Sequence, residues 1–236
     1  MMKNKIKKIN RLLIQFFGIP QRNKKNPDPV DMLIGTILSQ NTNDKNSYRA
    51  YQNLKQKYKT WDEVAKLTPS KIERLIRVAG LGKQKSAAIN NVLKGLKQNG
   101  KINLKYLYKK DDKSVIDELI KFNGVGVKTA SCVLLFSMNR DVCPVDTHVH
   151  RTLNRIGLVT TKSPDKTFDE IFGQIPDGVA HSFHTNLIRL GREICKPQKP
   201  NCRICPLQKH CNFDKKNFNT DVAHKKNDFM LLDNIS

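Results

Sequence analysis

Apolar residues recur along this chain at helical spacing, segment after segment, and strict apolar–polar alternation is essentially absent. Ile6, Ile9, Leu12, Leu13, Phe16 and Phe17 share one face of a 3.6-residue period, which predicts an amphipathic helix docking on a core. Asp28-Pro29 pairs a capping carboxylate with a proline at the first helical position, ahead of an apolar stretch over 30–38. Thr60 and Glu63 form a capping-box pattern ahead of 64–67. Ile72, Leu75, Ile76 and Val78 keep helical spacing until Gly80-Leu81-Gly82 ends the run. Further helices fit 85–96, 114–122, 128–138, 147–156, 167–172 and 181–194. With no segment of period two to build a sheet, the pattern predicts an all-α fold. Its 236 residues suffice for one large domain or two small ones.

Charge narrows the partners. Lys and Arg number 43 against 21 Asp and Glu, a formal +22 spread along the whole chain. Such an excess favours a polyanion, nucleic acid first and an anionic membrane surface second. No apolar run approaches the roughly 20 residues that a bilayer span requires, so no membrane partner is expected. The N-terminus imitates a signal peptide, with Lys3, Lys5, Lys7, Lys8 and Arg11 ahead of apolar 12–19. Gln15 interrupts that run, and Gln21-Arg22-Asn23-Lys24-Lys25 stands where small cleavage-site residues belong. An intracellular chain is expected, in the cytoplasm or at the nucleoid. Its six cysteines are then metal ligands or thiols rather than disulfides. Beyond Cys211 the chain turns polar and rich in Lys and Asn, and 212–236 reads as a mostly disordered tail.

Four of the cysteines form a cluster. Cys195, Cys202, Cys205 and Cys211 follow C-x6-C-x2-C-x5-C within one short segment. Structural zinc sites usually combine two separated pairs on a ribbon or finger. Here no room is left between pairs for a hairpin or a helix. A crowded four-thiolate loop suits a compact [4Fe–4S] cube, which takes one cysteine per corner, with zinc as the alternative metal. Cys132 and Cys143 fall outside the pattern, and Cys132 reads as a small buried hydrophobe.

Between two helical stretches lies Phe122-Asn123-Gly124-Val125-Gly126-Val127-Lys128-Thr129-Ala130. A Gly-x-Gly turn turns backbone amides outward, and the helix that follows adds its positive end. That arrangement binds phosphate, including the phosphates of a DNA backbone. The turn is too compact for a dinucleotide-binding loop, and no strand precedes it. Otherwise it is an ordinary helix–helix turn. Lys128 then falls in a first helical turn, where the dipole slightly disfavours a cation. Asp146, in Pro144-Val145-Asp146-Thr147-His148, precedes a helix and is at the least an N-cap. A helix over 128–138 rises about 15 Å, and an extended 139–146 can retrace roughly 25 Å. Chain length therefore permits Asp146 to return beside Lys128. A lysine held against a carboxylate at a phosphate-binding turn is a candidate nucleophile.

At these residues the chain resembles the endonuclease III family of helix-hairpin-helix DNA glycosylases, from about Asp28 to Cys211. Three motifs in order carry the resemblance: Gly124 to Ala130, Val145-Asp146-Thr147-His148, and the four-cysteine loop. It implies two α-helical domains with a DNA cleft between them, in a monomer. One is a six-helix barrel with the hairpin (28–142); the other is an iron–sulfur domain (143–211), against which the basic N-terminal segment (1–27) packs. The resemblance implies a bifunctional glycosylase and AP lyase that acts on double-stranded DNA carrying a damaged or abasic nucleotide. Oxidised pyrimidines are the expected bases, and relatives also process mismatched thymine, uracil or methylcytosine. Lys128 matches the Schiff-base nucleophile and Asp146 the assisting carboxylate; Gly124, Val125 and Gly126 match the hairpin. Cys195, Cys202, Cys205 and Cys211 match the ligands of the [4Fe–4S] cluster, in a loop whose Lys196, Lys199 and Arg203 would reach the DNA backbone. The segment Leu38-Ser39-Gln40-Asn41-Thr42-Asn43-Asp44 matches the one that supplies a glutamine plug. Anchoring on Asp44 puts Asn41 at the plug and Gln40 one residue earlier. Leu81 resembles the second wedge, and Asn123 stands where a proline often precedes the hairpin.

Overall fold

Asp28 opens the first core helix as its sequence predicts, its side chain accepting from the Val30 amide at 2.8 Å with Pro29 at the first helical position. The structure is a computed structural model describing residues 1–22, 25–98, 100, 102–219 and 235. Among those residues every regular element is helical, joined by turns and irregular stretches, and no strand occurs. The chain divides into two compact units, Met1–Gln21 with Arg140–Asp228 and Arg22–Asn139 with Phe229–Ser236. Their boundaries fall a few residues before those expected. Asn139 takes a left-handed φ of 55° and accepts a hydrogen bond from Arg22 within one unit. Asp141 accepts from the Gly178 and Ala180 amides, at 2.9 and 3.3 Å, within the other.

The unit built around 22–139 contains α2 (Pro29–Ser39), α3 (Asp44–Lys57), α4 (Trp61–Ala65), α5 (Pro69–Ile76), α6 (Gly82–Gln98), α7 (Asp112–Leu119) and α8 (Val127–Cys132). Helix α2 is buried on all sides from Pro29 to Leu38 and packs against α3, α6 and α8. A helix that is apolar all round belongs in a core. Its one carboxylate, Asp31, needs partners there. The Oδ1 atom accepts from Tyr51 Oη and Trp61 Nε1 at 2.9 Å each and from Lys55 Nζ at 3.0 Å. That single atom links α2 to α3 and α4. Thr60 and Glu63 close the capping box that starts α4. A Cβ at Gly35 would meet the tip of the Ile235 side chain, which would have to shift to admit it.

The other unit contains α1 (Met2–Phe17), α9 (Thr147–Arg155), α10 (Pro164–Ile171), α11 (Ala180–Arg189) and the cysteine loop. Helix α1 lies against α11 and buries Ile6, Ile9, Asn10, Leu13 and Phe17. Each large apolar side chain of that stripe contributes roughly 2 kcal/mol by leaving water. The expected stripe was wider: Leu12 is half-buried and Phe16 exposed. Polar contacts complete the joint, from Ser182 Oγ to Asn10 Oδ1 at 3.0 Å and from Arg189 Nη1 to the Phe17 carbonyl at 3.1 Å.

Several segments differ from expectation, among them the helix expected over 181–194, which is α-helical to Arg189 and π-helical over Leu190–Ile194. Helix α3 lacks a clear sequence signal, because its buried stripe, Ser47, Ala50, Tyr51 and Leu54, holds one strong aliphatic residue. The helix expected over 128–138 is α-helical to Cys132 and widens to π-helical geometry over Val133–Ser137. Most of the expected disordered tail lies outside the described residues. Its first part, 212–219, is tied back: the Asn212 amide donates to the Arg155 carbonyl at 2.9 Å, and the Cys202 amide to the Asn217 carbonyl at 3.0 Å. Replacing Asp31 with Ala leaves three donors without their acceptor and should lower stability by roughly 3 kcal/mol in urea unfolding. Asp31→Asn, which keeps an acceptor oxygen, should lose clearly less.

Candidate active site and nucleic-acid interface

The hairpin between α7 and α8 is shaped by its glycines. Gly124 has a φ of 91°, which disfavours any side chain, and a Cβ there would come within 2.5 Å of Ala88 Cβ on α6. Val125 is buried and pins the turn. Gly126 is different. Its φ of −102° and ψ of 176° are open to any residue, and nothing lies within 4 Å of the Cβ position. It is the N-cap of α8, and no side chain caps the helix. The first amides of α8 therefore stand at an open helix start, where an anion satisfies them best. Lys128 sits in that same turn, half-buried. Local helix energetics give no reason for a cation there.

Two exposed turns belong to the same unit. Gln40 ends α2 and donates its Nε2 to the Gly124 carbonyl at 3.3 Å, so its amide is engaged by the hairpin. Asn41, next in the chain, is exposed with a φ of 49°. Leu81 is exposed too, at 48%, with a φ of 50°. Left-handed backbone in an exposed leucine is uncommon and strained.

Asp146 and the cysteine loop belong to the other unit. Asp146 caps α9, its Oδ1 accepting from the Val149 amide at 2.8 Å. Its side chain is half-buried. Burial lowers the pKa of nearby His148, against a smaller opposing pull from the Asp146 charge. Both motif residues thus occupy the first turn or cap of a helix, each in its own unit.

The four loop cysteines are free thiols, none fully exposed. Burial pushes the Cys205 thiol up to about 12, and the nearby Cys195, Cys211 and Cys202 push the same way more weakly. Among the described residues no three ligating side chains converge on a position for a single ion. Four thiols crowded into one short loop form a donor set that suits a [4Fe–4S] centre, one cysteine per iron. Arg155 braces the loop, donating to Cys195 Sγ at 3.4 Å and to the carbonyls of Lys196 and Pro197 at 2.8 and 2.9 Å. Arg151 adds a bond from Nε to the Cys195 carbonyl at 3.0 Å. Leu207 anchors the loop inside, while Lys196, Lys199 and Arg203 are exposed.

Residues 34–176 match the HhH-GPD superfamily of base excision DNA repair proteins. Endonuclease III of Thermotoga maritima is 36% identical over 204 residues, covering 86% of this chain and 92% of that protein. The chain belongs to the endonuclease III family. A trapped endonuclease III–DNA covalent intermediate is a structural neighbour, with a TM-score of 0.74, 28% identity and coverage of 89% of this chain and 95% of that one. A thermostable thymine-DNA glycosylase shares the fold with the same TM-score of 0.74 at 22% identity.

In this member of the endonuclease III family, Lys85 is a residue of the site that the sequence reading missed. Its side chain is 1% exposed, and Nζ donates to the carbonyls of Leu38 and Ala79 at 2.8 and 2.7 Å. A signal was available: Lys85, Ala88, Ile89 and Val92 follow the i, i+3, i+4, i+7 spacing of one buried face. A lysine on such a face is out of character. At the hairpin, Gly126→Asp supplies a good N-cap in an allowed conformation and should hold or slightly raise the melting temperature. It should weaken binding to undamaged duplexes of every sequence alike, because it sets an anion where a phosphate would sit. A thermal melt and a salt-controlled binding titration on one preparation check both halves.

Proposed function

We propose that this protein is a bifunctional DNA glycosylase and AP lyase of base excision repair, acting on oxidised pyrimidines in double-stranded DNA, with Lys128 as nucleophile and Asp146 as its assisting carboxylate. The observation that carries the reading is a half-buried lysine in the first turn of a helix whose open N-terminus suits a phosphate, in a chain of the endonuclease III family. The +22 surface gathers duplex DNA. Gly124, Val125 and Gly126 hold a backbone phosphate while the damaged nucleotide leaves the stack. Asn41 and Leu81 enter the gap, and Gln40 holds the first turn to the hairpin.

The lone pair of the Lys128 amine attacks C1′ of the deoxyribose. The new N–C bond forms as the glycosidic bond breaks, and the base departs with the bonding electrons. The Asp146 carboxylate stabilises positive charge developing on the sugar and draws the proton that the amine gives up. The sugar ring then opens to an iminium, loss of a C2′ proton breaks the C3′–O bond, and the 3′ phosphate leaves. Cys195, Cys202, Cys205 and Cys211 would hold a [4Fe–4S] cluster, which when bound supplies a covalent crosslink for a loop presenting Lys196 and Lys199 to the DNA backbone. No helix among the described residues is long and apolar enough to cross a membrane.

Anaerobically purified protein should be yellow-brown, with iron and sulfide each near four per chain. Stoichiometric zinc without iron would sink the cluster assignment. Borohydride trapping tests the chemistry. Lys128→Gln should lose nearly all excision and form no adduct on abasic duplex. Asp146→Asn keeps an oxygen to cap α9, so the fold should persist while excision slows by roughly 10²–10⁴-fold. It should still nick preformed abasic sites. An adduct at wild-type yield in Lys128→Gln would show that another amine attacks.

A further inference from the structure

Lys85 is a cation in a core, and its partners are two main-chain oxygens rather than a carboxylate. Burial pushes its pKa down to about 8, a measure of how poorly the site suits a charge. A methionine would fill the same space without that cost, so the ammonium group has to do something an apolar side chain cannot.

What it does is set by its acceptors. Leu38 lies in the last turn of α2, and Ala79 ends the short 3₁₀ turn Arg77–Ala79. Carbonyls at helical C-termini lack partners from their own helix, and a lysine ammonium there also meets the negative end of the dipole. One side chain therefore caps two helical segments at once. Each segment runs straight into an exposed residue with left-handed backbone: Asn41 follows Leu38 by three positions, and Leu81 follows Ala79 by two. Strained residues of this kind persist only where the surroundings over-determine them. Lys85 grips the second turn twice, since its own amide also donates to the Leu81 carbonyl at 3.0 Å. One turn further along α6, Ala88 abuts Gly124, so the hairpin is referenced to the same helix.

From this geometry we infer that Lys85 is a positioning residue, which holds the Asn41 and Leu81 turns in one fixed arrangement so that both enter the duplex together when a base is flipped. The inference rests on the glycosylase reading above. It predicts a selective defect: flipping a stacked base depends strongly on the two turns, whereas a preformed abasic site has no base to unstack and depends on them less.

The test uses the full-length protein on two duplexes, one carrying thymine glycol and one a preformed abasic site. The quantity read is the single-turnover excision rate on the first divided by the borohydride trapping rate on the second. Because both rates are taken per active molecule, partial unfolding cancels. Lys85→Met should lower the ratio by about 100-fold, the scale of loss when reacting groups are misplaced by about an ångström. Lys85→Arg, which keeps charge and donors, should recover part of it. In a Leu81→Ala background, Lys85→Met should add less than about threefold, since a residue that acts through Leu81 cannot lose its effect twice. A ratio unchanged in Lys85→Met, or full additivity with Leu81→Ala, overturns the inference alone. Wild-type protein that traps abasic DNA but excises no base overturns the glycosylase reading instead, and this inference with it.

Discussion

Every residue of α2 from Pro29 to Leu38 is buried, so each polar group the helix carries into the core has to be answered by the protein itself. Its carboxylate at Asp31 is met by three donors, and its carbonyl at Leu38 by the ammonium of Lys85. Those two answers organise the unit. The first fixes α3 and α4 to the N-terminal half of α2. The second fixes the start of α6, and with it the turns around Asn41 and Leu81. A core that is apolar throughout could pack as tightly, but it would leave those turns free to choose among conformations.

Much of this was legible in the sequence because it is local. Asp28-Pro29, the Thr60–Glu63 box and Asp146 each announce a helix start through a side chain that bonds a backbone amide within a few residues. The hairpin glycine at 124 follows from backbone conformation in the same way. What stayed hidden is what tertiary packing decides. Helix α3 has a stripe too weakly apolar to declare itself, and Lys85 only makes sense once Leu38 and Ala79 are seen to meet at its tip. Anchoring the motif on Asp44 puts Asn41 at the plug and Gln40 one residue earlier, but says nothing of what either side chain touches. In the structure Gln40 bonds the hairpin and Asn41 stands exposed.

The cysteine loop illustrates a middle case. Spacing alone pointed to a metal and left zinc as an alternative. The structure adds that all four thiols are at least partly shielded from solvent in that loop. Arg151 and Arg155, both on α9, hold that loop by its backbone as well as at Cys195. The helix capped by Asp146 is therefore also the helix that braces the four-cysteine loop.

The joint between α1 and α11 has a consequence for how the chain is made. Asn10 and Ser182, like Phe17 and Arg189, are 172 residues apart in sequence. At roughly 5–20 residues per second, synthesis separates the two halves of this joint by roughly 10–35 s. The stretch Arg22–Asn139 is contiguous and can begin to fold during that interval. Helix α1, made well before α11, has to wait for it with the apolar face that includes Ile6 and Leu13 uncovered.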